Sequence, residues 1–312
     1  MDLRALSDRL KTQTGRWVLD QGRRLVPRFG YTLQRQALYW PLNPADQSYT
    51  RPVTALSEGN VAFAGFPVPP PRLWADYCTT AESWVASGEA DGRTMRDLVA
   101  AAGAPIGGCR RILEIGCATG RILRSLADVA AGAEVWGIDV WSDAVEWCQQ
   151  NLAPPFHFAT TTSAPHVPFE ERSFDLVYGG SVFTHIAELT EAWMLELHRV
   201  LRPGGHLYIS LNDRAAAAIF EGEATAEEME GFVERVGGRE AWDNWVATLH
   251  ADPGYARFLS GEASMLVLGR TTMPHVLWDA DVLCDRVAWG FRRRSLTRAG
   301  YGHQSTLLLE RI

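Results

Sequence analysis

The stretch that decides the fold is Arg111-Ile-Leu-Glu-Ile-Gly-Cys-Ala-Thr-Gly-Arg121. Its apolar first half predicts a short buried strand, and the loop that follows contains two glycines. Gly116 and Gly120 let the backbone turn tightly and approach a bound molecule closely. In an open parallel sheet, ligands bind beyond the carboxyl ends of the strands. The stretch therefore predicts a strand that leads directly into a ligand-binding loop.

Strand-like and helix-like segments alternate after this loop. The later segments predicted as strands are residues 134–139, 156–159, 174–178 and 206–211, and those predicted as helices are residues 121–130 and 189–201. Ser142 is predicted to cap the helix that follows the second strand, and Pro203-Gly204-Gly205 to end the helix of residues 189–201. The alternation predicts an α/β fold in which helices cover both faces of a doubly wound, mostly parallel sheet.

The first part of the chain differs in composition from the rest. Residues 1–72 are predicted to form a basic N-terminal extension and a proline-rich linker. Residues 1–36 carry eight Arg or Lys against three Asp. This segment could lie on an anionic membrane surface as a basic amphipathic helix, giving a weak membrane contact. A solvated helix packed on the core is the favoured interpretation.

Residues 73–312 are predicted to form the main domain. Residues 74–102 are typical of one or two helices interrupted near residues 88–92. Seven glutamates fall between Glu221 and Glu240, and residues 213–270 are predicted to form a helical insertion after the fifth strand, covering the mouth of the site. Two final strands are predicted, at residues 287–294 and 305–309.

Composition and charge exclude several classes of protein. The formal net charge of −7 disfavours nucleic acid as a partner, because an acidic surface repels a phosphate backbone. Five scattered cysteines without a CxxC pair argue against a disulfide framework or a zinc site and fit a reducing, cytoplasmic compartment. No cluster of His, Asp or Glu shows metal-ligand spacing, and no apolar run is long enough to span a bilayer.

The loop spacing distinguishes between cofactors. A dinucleotide loop needs the pattern G-x-G-x-x-G, which fails here at Ala118 and Arg121. Glu114 lies at the end of the strand, where an unpaired carboxylate would be costly, so a bound ammonium group or the amides of the loop should satisfy it. Asp139 follows Gly116 by 23 residues and ends the second strand, within reach of a ribose.

Five motifs occur in a characteristic order, and together they resemble the class I S-adenosylmethionine-dependent methyltransferases. The motifs are Glu114-x-Gly-Cys-x-Thr-Gly-Arg121, Gly137-Ile-Asp139, Ser173-Phe-Asp-Leu-Val177, Ser181-Val-Phe-Thr-His185 and Glu196-Leu-His-Arg-Val-Leu-Arg-Pro-Gly-Gly205. The resemblance covers residues 75–212 and is closest to the bacterial branch that modifies saccharides and secondary metabolites. It implies a Rossmann-like sheet of about seven strands with an antiparallel last strand.

The resemblance also implies which residues bind the cofactor, S-adenosyl-L-methionine. The implied residues are Glu114, Gly116, Cys117, Gly120, Asp139, Val140 and Ser163. The loop would hold the methionine part, and Asp139 the ribose. Asp175 resembles an acidic residue that is structural or near the cofactor. Residues 160–163 lack the Asp that many relatives use for adenine, which leaves Ser163, a backbone carbonyl or His166 for that contact.

His185 is the candidate catalytic residue. It follows the fourth strand, at the rim where the acceptor should lie, and a histidine titrates near neutrality. A packed or capping histidine is the alternative interpretation. Tyr178, His275 and His303 are weaker candidates for the base.

The favoured function is methyl transfer to an oxygen or nitrogen of a small-molecule acceptor. Two other classes remain open, a nicotinamide-dependent oxidoreductase and a non-catalytic cofactor-binding protein of the same fold. The sequence leaves the acceptor and the oligomeric state open.

Overall fold

A seven-stranded sheet forms the centre of the computed structural model, which describes residues 62–63, 65–74, 78–269 and 274–312. The predicted basic segment of residues 1–36 lies outside the described residues, as does most of the proline-rich stretch. The strands are β1 (Ala62–Phe63), β2 (Phe66–Pro67), β3 (Arg111–Ile115), β4 (Glu134–Asp139), β5 (His157–Thr160), β6 (Phe174–Gly179), β7 (Leu201–Leu211), β8 (Met265–Leu268), β9 (His275–Trp278), β10 (Phe291–Tyr301) and β11 (Gln304–Arg311).

The strand order in the central sheet is β10-β11-β7-β6-β3-β4-β5. Strands β3 to β7 pair in parallel, and β11 is antiparallel to both of its neighbours. The chain places β4 on one side of β3 and β6 on the other, so the strand order reverses at β3. The prediction of a doubly wound, Rossmann-like sheet with an antiparallel last strand is confirmed.

Helices pack on both faces of the sheet, because successive strand residues point to opposite faces. Ile112 and Leu176 belong to one core cluster, whereas Leu113 and Val177 belong to the other. The helices are α1 (Ala81–Ala101), α2 (Ala127–Ala130), α3 (Ser142–Asn151), α4 (Thr190–Val200), α5 (Arg214–Phe220), α6 (Ala226–Arg235), α7 (Arg239–Ala251), α8 (Pro253–Ser260) and α9 (Ala280–Val287). Helices α1 and α3 contribute to the first cluster, and α4 and α9 to the second.

Helix α1 corrects the prediction of an interruption near residues 88–92. It runs unbroken through Gly88 and Gly92, although glycine is a poor helix former, and both glycines are buried. A Cβ atom at Gly88 would lie 2.2 Å from the Arg121 carbonyl oxygen, and one at Gly92 would lie 2.1 Å from Ser125 Oγ. The glycines therefore permit a close contact between backbones, which a sequence pattern cannot distinguish from a break.

Several predicted element boundaries are wrong for local reasons. Ser142 is the first residue of α3 and makes no capping bond; the preceding Trp141 amide instead donates to Asp139. The helix predicted at residues 121–130 is a 3₁₀ helix (Leu123–Leu126) followed by the short α2. Helix α4 ends at Val200, before the Pro-Gly-Gly motif, which lies in an irregular part of β7. Residues 287–290 belong to the end of α9 and a turn rather than to β10.

An insertion follows β7, where the sequence predicts one, but it spans residues 213–279 rather than 213–270, because an unpredicted hairpin completes it; the insertion has its own apolar core. Helices α5 to α8 and the hairpin β8–β9 compose it. Phe220, Trp242 and Phe258 are buried at its centre. Strand β9 returns to the main sheet, because Val276 N donates to Thr184 O (2.7 Å) and Trp278 N donates to Asn212 O (2.9 Å). The insertion therefore lies over the carboxyl ends of β6 and β7.

Over the part of the chain that the structure describes, no helix combines the length and the apolar character that crossing a bilayer requires.

Asp213 joins the insertion to the sheet, which gives a test of this arrangement. Its Oδ1 accepts from Ala216 N (2.9 Å), capping α5, and from Ser305 Oγ (2.7 Å) on β11. Asp213→Ala should lower the free energy of unfolding by about 2 kcal/mol, because a cap and a buried hydrogen bond are lost together. Asp213→Asn retains the capping oxygen and should cost less. Urea titration measures both.

Thr225→Ala is the matched control, because Thr225 caps α6 at an exposed position. It should cost about 1 kcal/mol or less. If Asp213→Ala were no more destabilising than Thr225→Ala, Asp213 would not join the two parts of the fold.

Candidate active site

The loop after β3 lies where the strand order reverses, the usual ligand position in such a sheet. Two residues of the loop adopt left-handed backbone conformations, with φ values of 66° at Gly116 and 72° at Gly120. A Cβ atom at Gly116 would lie 2.4 Å from Val182 Cγ2, and one at Gly120 would lie 2.7 Å from Leu152 Cδ1. The positive φ angles therefore favour glycine at both positions, and a larger residue would also displace the Val182 or Leu152 side chain.

Ala118 occupies the left-handed region without being glycine, with a φ of 43°. This conformation costs an L-residue about 1 kcal/mol. Two contacts hold it there: Ala118 N donates to Asp139 Oδ2 (2.7 Å), and the Cys148 thiol donates to Ala118 O (3.5 Å). The only sign of this strain in the sequence is the absence of a third glycine from the loop.

Asp139 bridges the ends of two strands. Its second carboxylate oxygen, Oδ1, accepts from Trp141 N (2.8 Å), so each oxygen is held by a backbone amide. Burial raises the pKa of Asp139, and the amides of Trp141, Ala118 and Val140 act in the opposite direction. The adjacent Val140 side chain is 49% exposed. An acidic group and an exposed apolar side chain thus stand side by side next to the glycine loop.

Glu114 is almost completely buried at the end of β3. The Tyr178 hydroxyl donates to its Oε2 (3.0 Å). Burial raises the pKa of Glu114 to about 8, although the bond from Tyr178 and the nearby Arg121 charge oppose the shift. The carboxyl group is therefore largely protonated at neutral pH, and a bound cation would favour its ionisation.

The other predicted cofactor residues differ in accessibility. Cys117 is buried, and burial raises the pKa of its thiol well above the usual value. Its side chain packs in the core with Cys148, so only its backbone is available to a ligand. Ser163 is exposed after β5. His166 Nδ1 lies 3.3 Å from Glu196 Oε1, which directs it toward α4.

Sequence reasoning missed Thr161, a buried residue directly after β5. Its amide donates to Asp139 O (2.8 Å), and its Oγ1 has no hydrogen-bond partner. A buried hydroxyl without a partner in the protein can form a hydrogen bond with a bound molecule. The run of threonines at residues 160–162 was visible in the sequence, but only the structure distinguishes the buried one.

His185 lies beyond β6, half-buried beneath the insertion. Its Nδ1 is 3.0 Å from Pro274 O. Because a carbonyl oxygen only accepts, Nδ1 carries the proton in this bond, and Nε2 of the neutral ring keeps its lone pair. Burial lowers the pKa of His185, which favours the neutral form. The His275 ring packs on His185 (5.2 Å between centroids), and Trp245 packs on His275 (4.4 Å).

Two of the weaker base candidates lie in unsuitable surroundings. Tyr178 is fully buried and bonded to Glu114. His303 packs among Phe220, Phe232 and Trp242, and burial lowers its pKa to about 3. Neither is at the acceptor rim. Asp175 is structural: it accepts from Arg110 N and Arg111 N and pairs with Arg202 at the amino end of β6.

A polar network surrounds the rim near His185. Ser181 N donates to Ser210 Oγ (2.6 Å), and Ser210 Oγ donates to Gln304 Oε1 (2.7 Å). Gln304 Nε2 donates in turn to Ser181 Oγ (2.9 Å), which contacts Thr184 Oγ1 (3.1 Å). The network fixes the chain between β6 and His185 and was not predicted, because its members are far apart in the sequence.

Comparison with known proteins finds a family match for the central part of the chain. Residues 113–209 match a family model described as a methyltransferase domain. This segment, 97 of the 312 residues, is therefore similar to the methyltransferase-domain family, and the observed sheet topology agrees with the class I fold predicted from the sequence. The prediction made from the five motifs is confirmed.

Two curated relatives match this part of the chain. The mouse mitochondrial ubiquinone biosynthesis O-methyltransferase is 26% identical over 151 residues, which are 46% of this chain and 39% of the relative. A fatty-acid O-methyltransferase of Mycolicibacterium smegmatis is 31% identical over 106 residues, 34% of this chain and 38% of the relative. The chain thus spans about two fifths of the length of each relative.

The chain is also similar to solved methyltransferase structures. The Burkholderia thailandensis 1,6-didemethyltoxoflavin-N1-methyltransferase, solved with 1,6-didemethyltoxoflavin and S-adenosylhomocysteine, aligns with a TM-score of 0.45 at 14% identity, over 71% of this chain and 78% of that one.

The raised pKa of Glu114 predicts a pH-dependent stability. Between the ordinary pKa near 4.5 and the folded value of about 8, the folded state holds a proton that the unfolded state has released. The wild type should therefore lose stability as pH rises through this window. Glu114→Gln lacks this titration. The free energy of unfolding of the variant relative to the wild type should therefore increase by up to about 4 kcal/mol between pH 5 and pH 8.

Urea titrations at pH 5, 6, 7 and 8 measure this difference. Glu230→Gln is the control, because Glu230 is an exposed carboxylate of α6. Parallel stability curves for wild type and Glu114→Gln would show that Glu114 ionises at its ordinary pH in the folded protein.

Proposed function

We propose that this protein is an S-adenosylmethionine-dependent methyltransferase that methylates an oxygen or nitrogen of a small-molecule acceptor. The observation that carries the proposal is the placement of Glu114 and Asp139. These two buried carboxylates end adjacent parallel strands, on either side of a left-handed glycine loop. A carboxylate suits the ammonium group of the cofactor, and a second suits its ribose hydroxyls.

The residues present fit this cofactor. The unpartnered Oγ1 of Thr161 lies directly beyond the strand next to Asp139, where the adenine part would be placed. The exposed Val140 offers an apolar surface for the adenine ring. Glu114 and the backbone of Gly116, Cys117 and Gly120 would hold the methionine part, Asp139 the ribose, and Thr161 or Ser163 the adenine edge.

When bound, S-adenosylmethionine supplies an electrophilic methyl group on a sulfonium. The contribution of the protein is to hold the acceptor atom in line with that group, an effect worth ~7–11 kcal/mol. In this proposal His185 accepts a proton from the acceptor at Nε2, because Nδ1 donates to the Pro274 carbonyl. Its lowered pKa keeps this nitrogen unprotonated at neutral pH.

The insertion is proposed as the lid that covers the acceptor. Strand β9 is bonded to Thr184 and Asn212, next to His185 and the end of β7. Closing this side would exclude water from the reacting groups. Residues 73–312 would then form one methyltransferase domain, with residues 213–270 as the principal part of the lid.

Two observations favour an oxygen acceptor in a small molecule. The two curated relatives described above are named as O-methyltransferases, and a base such as His185 suits a hydroxyl acceptor, whose proton must leave as the new bond to carbon forms. Saccharides and secondary metabolites are the proposed acceptor class. The net charge of −7 argues against nucleic acid, and the scattered cysteines fit a cytoplasmic location.

Cofactor binding tests the assignment of Asp139. In calorimetric titration with S-adenosylhomocysteine, Asp139→Ala should bind about 10- to 150-fold more weakly than wild type, the loss expected for a hydrogen bond to a charged group. Asp97→Ala, which removes an exposed carboxylate of α1, should bind as wild type does. A wild type that binds NADH and not S-adenosylhomocysteine would overturn the proposal in favour of an oxidoreductase.

His185→Asn tests the role of His185 in the reaction. Asparagine can keep an N–H donor for the Pro274 carbonyl but lacks the Nε2 lone pair. With a panel of phenolic and saccharide acceptors, the single-turnover rate should fall about 10²- to 10⁴-fold. The wild-type rate should fall as pH drops below the lowered pKa of His185, and the variant should lose that dependence.

His250→Asn is the control for this test, because His250 is a half-exposed histidine of α7 paired with Glu221. An unchanged rate in His185→Asn would remove His185 from catalysis. S-adenosylhomocysteine binding without turnover on any acceptor would favour a non-catalytic cofactor-binding protein.

A further inference from the structure

One face of helix α1 packs closely against the chain that leaves the cofactor loop. Gly88, Asp91 and Gly92 share this face, since residues three and four apart in a helix are neighbours. The missing side chains of the two glycines admit the Arg121 carbonyl and the Ser125 side chain. Arg121 directly follows Gly120, so the loop is held against the backbone of α1 at its downstream end.

Asp91 lies buried in this contact and binds Arg121. It is 5% exposed, and its Oδ2 accepts from Arg121 Nη1 at 2.7 Å. The same carboxylate accepts two bonds from Arg235, at 2.5 Å to Oδ2 and 2.9 Å to Oδ1. Arg235 is the last residue of α6, in the insertion. One buried carboxylate thus joins α1, the cofactor loop and the insertion.

Tyr301 connects this cluster to the chain segment that leads to the proposed acceptor side of the site. Its hydroxyl accepts from Arg121 Nη2 (2.5 Å), and the Arg235 guanidinium lies 4.2 Å from its ring centroid. A Cβ atom at Gly180 would lie 2.5 Å from Tyr301 Cε2, so the ring packs on the chain that leads from β6 toward His185. The cluster therefore contacts the segments proposed to bind cofactor and acceptor.

The charges of the cluster make its members interdependent. Two buried guanidinium groups share the Asp91 carboxylate, and both lie against the Tyr301 ring. A buried charge is costly without its partner. Loss of Arg235 would change the charge balance at the Asp91 carboxylate, which also binds Arg121. A resulting shift of Arg121 would move the downstream end of the loop.

We propose that Asp91 and Arg235 are positioning residues of the cofactor site, so that docking of the insertion and binding of the cofactor reinforce each other. Neither residue belongs to the proposed set that touches the cofactor. Asp91 fixes Arg121 and thereby the loop of residues 116–120, and Arg235 makes this arrangement depend on the position of α6. This inference rests on the proposed function, because it assumes that the loop binds S-adenosylmethionine.

The experiment is calorimetric titration of S-adenosylhomocysteine into the full chain and its variants. Arg235→Gln and Asp91→Asn should each weaken binding roughly 5- to 150-fold, the usual range of coupling between sites. Arg235→Lys keeps the charge and should recover part of the affinity. The double variant should lose less than the product of the single effects, since both act through one cluster. Arg239→Gln is the control, because Arg239 is an exposed arginine of the insertion paired with Asp243.

Hydrogen exchange gives a second readout that a merely structural role would not change. S-adenosylhomocysteine should slow exchange in α6 of the wild type and of Arg239→Gln, and should have little effect there in Arg235→Gln. Thermal melting identifies variants that fold. If Asp91→Asn does not fold, Arg235→Gln and Arg235→Lys carry the test alone.

The outcomes separate this inference from the proposed function. If wild type binds S-adenosylhomocysteine and folded Arg235→Gln binds it equally well, with equal protection of α6, the coupling is wrong and the proposed function stands. If wild type does not bind S-adenosylhomocysteine, both are overturned.

Discussion

The hydrogen bond from the Ala118 amide to the Asp139 carboxylate is the contact on which the site depends. It ties the loop after β3 to the end of β4 and holds Ala118 in a backbone conformation that alanine otherwise avoids. Because Asp139 also accepts from Trp141, the start of α3 is fixed by the same side chain. One carboxylate therefore sets the shape of the loop, the end of a strand and the beginning of a helix.

Burial of acidic groups at the carboxyl ends of the strands is the second recurring feature. Glu114 and Asp139 are both buried and both have raised pKa values, because little water reaches them. Such an arrangement stores an electrostatic cost that a cationic or polyhydroxyl ligand can relieve. Ionisation of Glu114 costs stability as the pH rises, and a positively charged ligand beside it would offset that cost.

The insertion contacts the candidate site at two places. Its hairpin brings Pro274 and His275 to His185, and its helix α6 brings Arg235 to Asp91. Pro274, His275 and Arg235 all lie outside the family match, which ends at residue 209.

The sequence by itself determined the sheet and the positions of Glu114, Gly116, Gly120, Asp139 and His185 along it. Strand alternation and the spacing of glycines and carboxylates are local patterns, and in a parallel sheet the carboxyl ends of the strands meet at one edge. Only the tertiary structure decided that Gly88 and Gly92 permit close packing within a continuous helix rather than interrupt it. It likewise decided that Thr161 is the buried residue among the threonines at 160–162. It also decided the pairing of Arg121 and Arg235 on Asp91, and the bond between His185 and Pro274. These contacts join residues distant in the chain, and their geometry depends on packing that no local pattern encodes.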